Sequence, residues 1–362
     1  MHLTRNSSYA DVKSIEQRAD SRRVTSITAD LLESQHIFEL TENEVAQIFS
    51  RDIYRQVISS SAFQRLKKIH FLGSLDYVID PEGPKPNKRH TRYQHSLGVA
   101  RLALQFARDR RLAEREEIVS VVAALLHDIG HAPLSHSLES VFKKSFGLGH
   151  HVVSERIIRG DVEIGKDLHK ILTRARINPY EILVILNGIG PSPFKELFNY
   201  GINIDTIEAI SRSATYLYQN ALFRPPADVL SALLTPCEIS TGALDNFWRL
   251  KDEVYNKLIT NRVGVLADYV CQQYMQSHIS TFDEDHFYLN ESELRDRHPN
   301  LFATLHNLLA ARLKDLFPGV DQIDFIRRHF IIDASVAVDC TSAVDSRYTQ
   351  TRNEESLRID TN

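Results

Sequence analysis

Nine largely apolar residues, Ile118 to Leu126, run straight into His127-Asp-Ile-Gly-His-Ala-Pro133. An apolar run of that length without alternation, set among helical neighbours, reads as a helix buried on all sides. Gly130 and Pro133 oppose its continuation. The chain must therefore deliver an imidazole and a carboxylate to the end of a core helix, and the surrounding fold has to be built on that helix. The flanking sequence agrees, because Val45, Ile48, Phe49, Ile53, Val57, Phe63 and Leu66 recur at helical intervals between Asn43 and Lys68. Helical patterning resumes at His95 and runs to Ala113, and further helices are expected at 150–159, 163–175, 179–187, 193–199 and 203–219. Pro225 and Pro226 suit the first turn of another, and 243–278 continues the pattern. The fold class expected is all-α.

Between the first helices, Phe71 to Arg89 is punctuated by Gly73, Pro81, Gly83, Pro84 and Pro86 and reads as a loop or short hairpin. With 362 residues and 43% hydrophobic content the chain can bury a large core without staples. The division expected is a polar N-terminal arm over 1–35, a helical core over 36–240, a helical extension over 241–338, and a mobile tail over 339–362. Cys237, Cys271 and Cys340 lie far apart with no C-x-x-C spacing, so neither a disulfide framework nor a thiolate zinc knot is expected, and a reducing cytoplasm suits them. The N-terminus carries no apolar leader, and no stretch approaches the roughly 18 apolar residues of a membrane span. A net charge of −4 gives no global attraction to nucleic acid, which leaves only a local basic patch to support such binding.

Seven of the 16 histidines, His90, His95, His127, His131, His136, His150 and His151, fall between residues 90 and 151, a density that core packing does not require. His127 and Asp128 at the end of a buried helix can aim at one ion. His95 on the preceding helix and Asp205, which opens a helix after a glycine turn among apolar neighbours, complete a mixed nitrogen and oxygen set. Such a set suits a divalent ion, Mn, Mg, Fe, Co or Zn, with positions left for water and phosphate. The His127-to-His131 spacing is that of a zinc-protease helix, but that reading needs a glutamate after the first histidine and an unbroken helix, and this chain has neither.

The ordered set His95, His127-Asp128 and Asp205 resembles the H…HD…D signature of the HD-domain metal-dependent phosphohydrolases. Phe63-Gln-Arg-Leu-Lys-Lys-Ile69, Leu72-Gly73, Arg92-Tyr-Gln-His-Ser-Leu-Gly-Val99 and His127-Asp-Ile-Gly-His-Ala-Pro-Leu-Ser-His136 resemble the deoxynucleoside triphosphate triphosphohydrolase branch in particular. This resemblance implies metal ligands at His95, His127, Asp128 and Asp205, and pocket histidines at His131, His136 and His150. It implies hydrolysis of a dNTP at the α-phosphorus to deoxynucleoside and triphosphate, and a homo-oligomer. Within that scheme His131 is the favoured proton donor to the leaving oxygen, with His150 in support. For His136 a helix-capping or core hydrogen bond stays open beside a pocket role.

Arg92 can set a planar fork beside the phosphate. Lys85, Lys88 and Arg89 fit a triphosphate tail, a nucleic-acid backbone or a solvated loop. The chain departs from the branch at Thr206 and Ala209, where a lysine and a tyrosine are usual, and at Phe71, where a glutamine is usual. His151 likewise stands where a glutamate often follows the pocket histidine. Arg212 either supplies part of the missing positive charge or forms a helix-surface salt bridge.

Other function classes stay in view. A phosphodiesterase or phosphatase of the same superfamily would act on nucleoside monophosphates, cyclic nucleotides or nucleic-acid ends. A non-catalytic nucleotide sensor would keep the ion for structure. The biological role expected for a dNTPase is control of the dNTP pool, including starvation of an infecting phage, or housekeeping.

Overall fold

Residue patterns become helices first around the apolar run. The computed structural model describes residues 51–78, 89–191, 193–218, 224–338, 341–352 and 357–360. Helices α1 (Asp52–Ser59) and α2 (Ser61–Arg65) lead through a 3-10 turn over Gly73–Tyr77 to α3 (Arg92–Asp109) and α4 (Glu114–Leu126). Helix α3 starts on a capping box, in which the Thr91 hydroxyl accepts from Gln94 N–H and the Gln94 side chain accepts from Thr91 N–H. Helix α4 opens on Glu114, Glu116 and Glu117, acids that favour the positive helix N-terminus. Its second half, Val121 to Leu126, is fully buried, which is why that stretch carries no polar face. The short connection 110–113 folds α4 back against α3.

The helix does stop at Leu126, but Gly130 acts differently from the expected terminator. It is absent from the left-handed residues, and its α-carbon faces the His150 carbonyl and the Ser154 N–H so closely that no Cβ fits between them. Its smallness thus brings the histidine loop onto the next helices, α5 (Glu139–Phe146) and α6 (His150–Arg159). Leu134 and Ser135 carry the strain of the turn, with φ of 61° and 51°, a conformation that costs a non-glycine residue roughly 1–2 kcal/mol. In return, the Ser135 hydroxyl donates to the His70 carbonyl (2.9 Å) and accepts from Arg92 Nε (3.0 Å).

Helices α7 (Lys166–Arg174), α8 (Pro179–Leu186) and α9 (Lys195–Phe198) lead to α10 (Ile204–Leu217), whose N-cap Asn203 accepts from Thr206 N–H. After α11 (Pro226–Leu234), α12 (Glu238–Val254) passes through a π-helical turn, Tyr255–Ile259, into α13 (Arg262–Ser277). Helices α14 (Glu291–Arg297), α15 (Pro299–Asn307) and α16 (Leu313–Leu316) follow. One apolar core joins residues on both sides of 240. Glu291, 1% exposed, fastens the later part to the histidine loop by accepting from His70 N–H (2.9 Å), Leu134 N–H (3.2 Å) and the Tyr77 hydroxyl.

The chain is helical throughout its core, yet two expectations at its end need correction. The helical extension gives way to strands before 338, and the described residues of the tail, 341–352 and 357–360, carry regular structure. Strand β1 (Gln322–Phe325) pairs antiparallel with β4 (Leu357–Asp360), and β2 (Arg328–Ile332) pairs antiparallel with β3 (Tyr348–Arg352), which follows α17 (Thr341–Arg347). Tyr348-Thr-Gln-Thr-Arg352 has too few apolar residues to announce a strand, and its order comes from long-range partners. Arg347 forms an ion pair with Asp245 (2.8 Å), and Tyr348 donates to the same carboxylate (2.8 Å). The arm 1–35 lies outside the described residues, as does Lys88.

Candidate metal centre and substrate cavity

Three elements meet at one point. Helix α3 supplies His95, the end of α4 supplies His127 and Asp128, and the first turn of α10 supplies Asp205. One ligand atom from each of His95, His127 and Asp205 lies within 4.8 Å of the others, so the three are a group able to hold a metal ion. The Nε2 atoms of His95 and His127 face each other at 3.1 Å, and Asp205 Oδ1 stands 3.1 Å and 3.7 Å from them. Asp128 is adjacent, with Oδ2 3.4 Å from His95 Nε2 and Oδ1 3.5 Å from His127 Nε2. Four residues from three separate stretches of the chain therefore converge.

The opposite nitrogens of the two imidazoles are tied back. His127 Nδ1 donates to the Ala124 carbonyl at 2.8 Å, and His95 Nδ1 is bonded to Glu208. This orientation leaves Nε2 of each ring for the ion, the arrangement typical of histidine ligands. Glu208 was missed in the sequence. It lies one turn beyond Asp205 and one before Arg212 on α10, and the Asp205-x-x-Glu208-x-x-x-Arg212 spacing was the signal available.

Charges crowd this point. Burial works against the Asp128 and Asp205 carboxylates, but His127, His131 and Arg92 around the first, and His127 and His95 around the second, hold both far below the ordinary carboxylate range. Burial alone would lower His95, yet Glu208, Asp205 and Asp128 raise it to about 9. A metal ligand must be the neutral imidazole, so in metal-free protein the ion competes with this proton. Apparent metal affinity is expected to fall by about tenfold for each pH unit below 9, and calorimetry at pH 7.5 in buffers of different ionisation enthalpy should register proton release. A pH-independent affinity between 6 and 9 would contradict this.

A cavity of about 400 Å³ opens beside the cluster, lined among others by Arg92, Asp128, His131, His136, His150 and Asp205. Arg92 is buried and fixed there: Nη1 bonds to Asp128 Oδ2 (2.8 Å), Nε to Ser135 and Nη2 to the Phe71 carbonyl (3.1 Å). Arg212, by contrast, is neither on the surface nor at the cavity. It is 1% exposed, pairs with Glu208 and also bonds to His90 Nδ1 (3.1 Å) and the Gln94 carbonyl (3.2 Å). Its role is to position Glu208 behind His95, because the helix face that carries Asp205 into the site carries Arg212 beneath it.

The remaining histidines form a second group. His131 stacks on His150 with centroids 4.5 Å apart and meets His136 edge-on at 4.6 Å. Glu139, also missed in the sequence, organises two of them: it accepts from His136 Nδ1 (2.9 Å), His150 Nδ1 (2.8 Å) and His150 N–H (3.0 Å). Burial opposes its ionisation, but these two histidines hold it far below the ordinary range. His131 is placed differently. It is 1% exposed, with Nε2 3.1 Å from Asp128 Oδ1 and a buried Nδ1 that has no hydrogen-bond partner among the described residues. Burial, then Arg92, push its pKa well down.

Fold and site together define a helical domain with a histidine–aspartate group able to hold a metal ion, and residues 92–174 match the family model of the HD domain. That match agrees with the resemblance read from the sequence. It is similar to the uncharacterized protein YwfO of Bacillus subtilis, 34% identical over 165 residues, 44% of this chain and 35% of that protein. A deoxynucleoside triphosphate triphosphohydrolase SAMHD1 homolog of Dictyostelium discoideum is 28% identical over 188 residues, 46% of this chain and 34% of that protein. The Bos taurus SAMHD1 deoxynucleoside triphosphate triphosphohydrolase is 35% identical over 94 residues, 24% and 15% of the two chains. The chain thus spans about a third or less of the length of these curated relatives. A crystal structure of a hypothetical protein from Aquifex aeolicus shares the fold, with a TM-score of 0.59 at 19% identity, over 86% of this chain and 93% of that one. Among the described residues no helix is long and apolar enough to cross a membrane.

Proposed function

We propose that this chain hydrolyses deoxynucleoside triphosphates, with water attacking the α-phosphorus to release deoxynucleoside and triphosphate. The observation that carries this reading is the convergence of His95, His127, Asp128 and Asp205 beside a cavity that is also lined by Arg92 and four further histidines. Similarity to triphosphohydrolases of that class supports the substrate. A divalent ion held by the four ligands would polarise the phosphoryl oxygen and lower the pKa of attacking water.

The protein's own groups supply the remainder. Arg92, held by Asp128, Ser135 and the Phe71 carbonyl, lines the cavity as a fixed positive charge. His150 takes the proton-donor role in place of His131, whose Nε2 is engaged by Asp128 and whose imidazole is held neutral by burial. Glu139 fixes Nδ1–H of His150 and His136, so each offers Nε2 to a leaving oxygen. Changing Glu139 to glutamine is expected to cut kcat by about 10–100-fold while leaving the bound metal in place. Equal kcat in the variant would remove Glu139 from the mechanism.

A second reading, phosphomonoester or phosphodiester hydrolysis, is favoured by one observation: His131, His136 and His150 also form a group able to hold a metal, which would make a two-metal site. Product analysis by chromatography and phosphorus NMR decides between them, using metal-loaded protein and a panel of dNTPs, NTPs, monophosphates and cyclic nucleotides. Intact triphosphate plus nucleoside supports the first reading, and free phosphate or ring opening the second. The first reading also takes a cytoplasmic setting and a homo-oligomer, the latter checked by light scattering.

A further inference from the structure

The cavity wall contributed by the C-terminal extension contains a cation that the metal centre does not use. Lys251, in the last turn of α12 just before the π-helical turn, lines the cavity together with Asp205, Thr206 and Tyr255. It is 7% exposed. Its ammonium donates to the Gly201 carbonyl at 3.2 Å and sits 4.3 Å from the Trp248 ring centroid and 5.0 Å from that of Phe330. Among the described residues no carboxylate lies within ion-pair distance of it.

This is an unusual place for a lysine. An ammonium has three N–H donors, and a single carbonyl and two ring faces do not satisfy it as a carboxylate would. Desolvation lowers its pKa to about 8 despite the pull of Asp205, so burial is working against the charge. The aromatic wall that holds it is built at long range: Phe330 lies on β2, and Trp248 Nε1 donates to the Ile331 carbonyl of the same strand at 3.1 Å. The other non-histidine cation lining the cavity, Arg92, is already committed to Asp128, Ser135 and Phe71. A polyphosphate entering beside two carboxylates needs an uncommitted positive charge, and position 206, next to Asp205, offers only a threonine hydroxyl.

We propose that Lys251 binds a non-reacting phosphate of the substrate, so that the C-terminal extension completes the recognition of a nucleoside triphosphate's phosphate chain. This rests on the reading of the site as a nucleotide phosphohydrolase centre.

The test is equilibrium binding of inorganic tripolyphosphate and, separately, of deoxynucleosides to the metal-loaded full chain and to its K251M and K251R variants. Methionine keeps the stem's contact with the aromatic wall, and arginine keeps the charge. K251M is expected to weaken tripolyphosphate binding by about 10–100-fold, with deoxynucleoside binding unchanged, and K251R to recover most of the loss. Equal tripolyphosphate binding by wild type and K251M overturns the proposal. Should K251M fail to fold, reductive methylation of the wild-type chain read by mass spectrometry replaces it. Slower modification of Lys251 with saturating tripolyphosphate supports the assignment, and an unchanged rate overturns it. If tripolyphosphate binds through Lys251 but no dNTP is turned over, Lys251 stands and the dNTPase reading falls.

Discussion

Asp128→Asn is expected to lose turnover by about a thousandfold or more, the rate equivalent of roughly 4 kcal/mol of charge stabilisation at the reacting phosphate. Asp128 lies within 3.5 Å of four cationic or imidazole groups: Arg92, His95, His127 and His131. A carboxamide of nearly the same shape removes the negative charge that three histidines and an arginine face, and it turns an N–H₂ toward donors. Bound metal, measured by elemental analysis after dialysis, should fall with turnover, while the far-ultraviolet dichroism stays that of the parent. A variant that kept both full metal content and full turnover would remove Asp128 from the centre.

The second large effect belongs to a residue that touches no substrate. Glu208→Ala leaves the Arg212 guanidinium, 1% exposed, without its carboxylate and His95 Nδ1 without its partner. Breaking a buried ion pair by removing one side costs about 3–5 kcal/mol, because the surviving charge remains desolvated. Metal affinity should also drop, by about 10–100-fold, since His95 is no longer held in orientation. Urea unfolding and metal titration of the same preparation separate the two effects, and Glu208→Gln, which keeps the volume, should lie between parent and alanine in both. A change in stability below about 1 kcal/mol would show that Arg212 finds other partners.

The two variants probe different layers of one design. Asp128 is a proposed ligand on the loop after a core helix, whereas Glu208 orients His95 from behind. Gly98 belongs to that second layer, because its missing Cβ is where the Glu208 carboxyl lies. The glycine in Arg92-Tyr-Gln-His-Ser-Leu-Gly98 is thus a packing requirement of the metal centre, although by itself it reads as a mild fault in a helix.

The sequence by itself determined the helical class, the burial of Ile118 to Leu126 and the stop at His127, and it singled out the four residues that the fold brings together. These follow from local periodicity and from the chemistry of histidine and aspartate placed where an apolar core does not want them. Only the tertiary structure decided which charges support the ligands, and these lay in plain view: Glu139 and Glu208 look like solvated helix residues until His150 and His95 arrive from elsewhere. It also moved Arg212 from a surface or phosphate role to a buried one, and set His131 against Asp128. It built strands from residues read as a tail. The physical reason is common to all of these. Burial and pairing are set by contacts between residues tens or hundreds of positions apart, as between Arg347 and Asp245 or Trp248 and Ile331, whereas periodicity reports only on near neighbours along the chain.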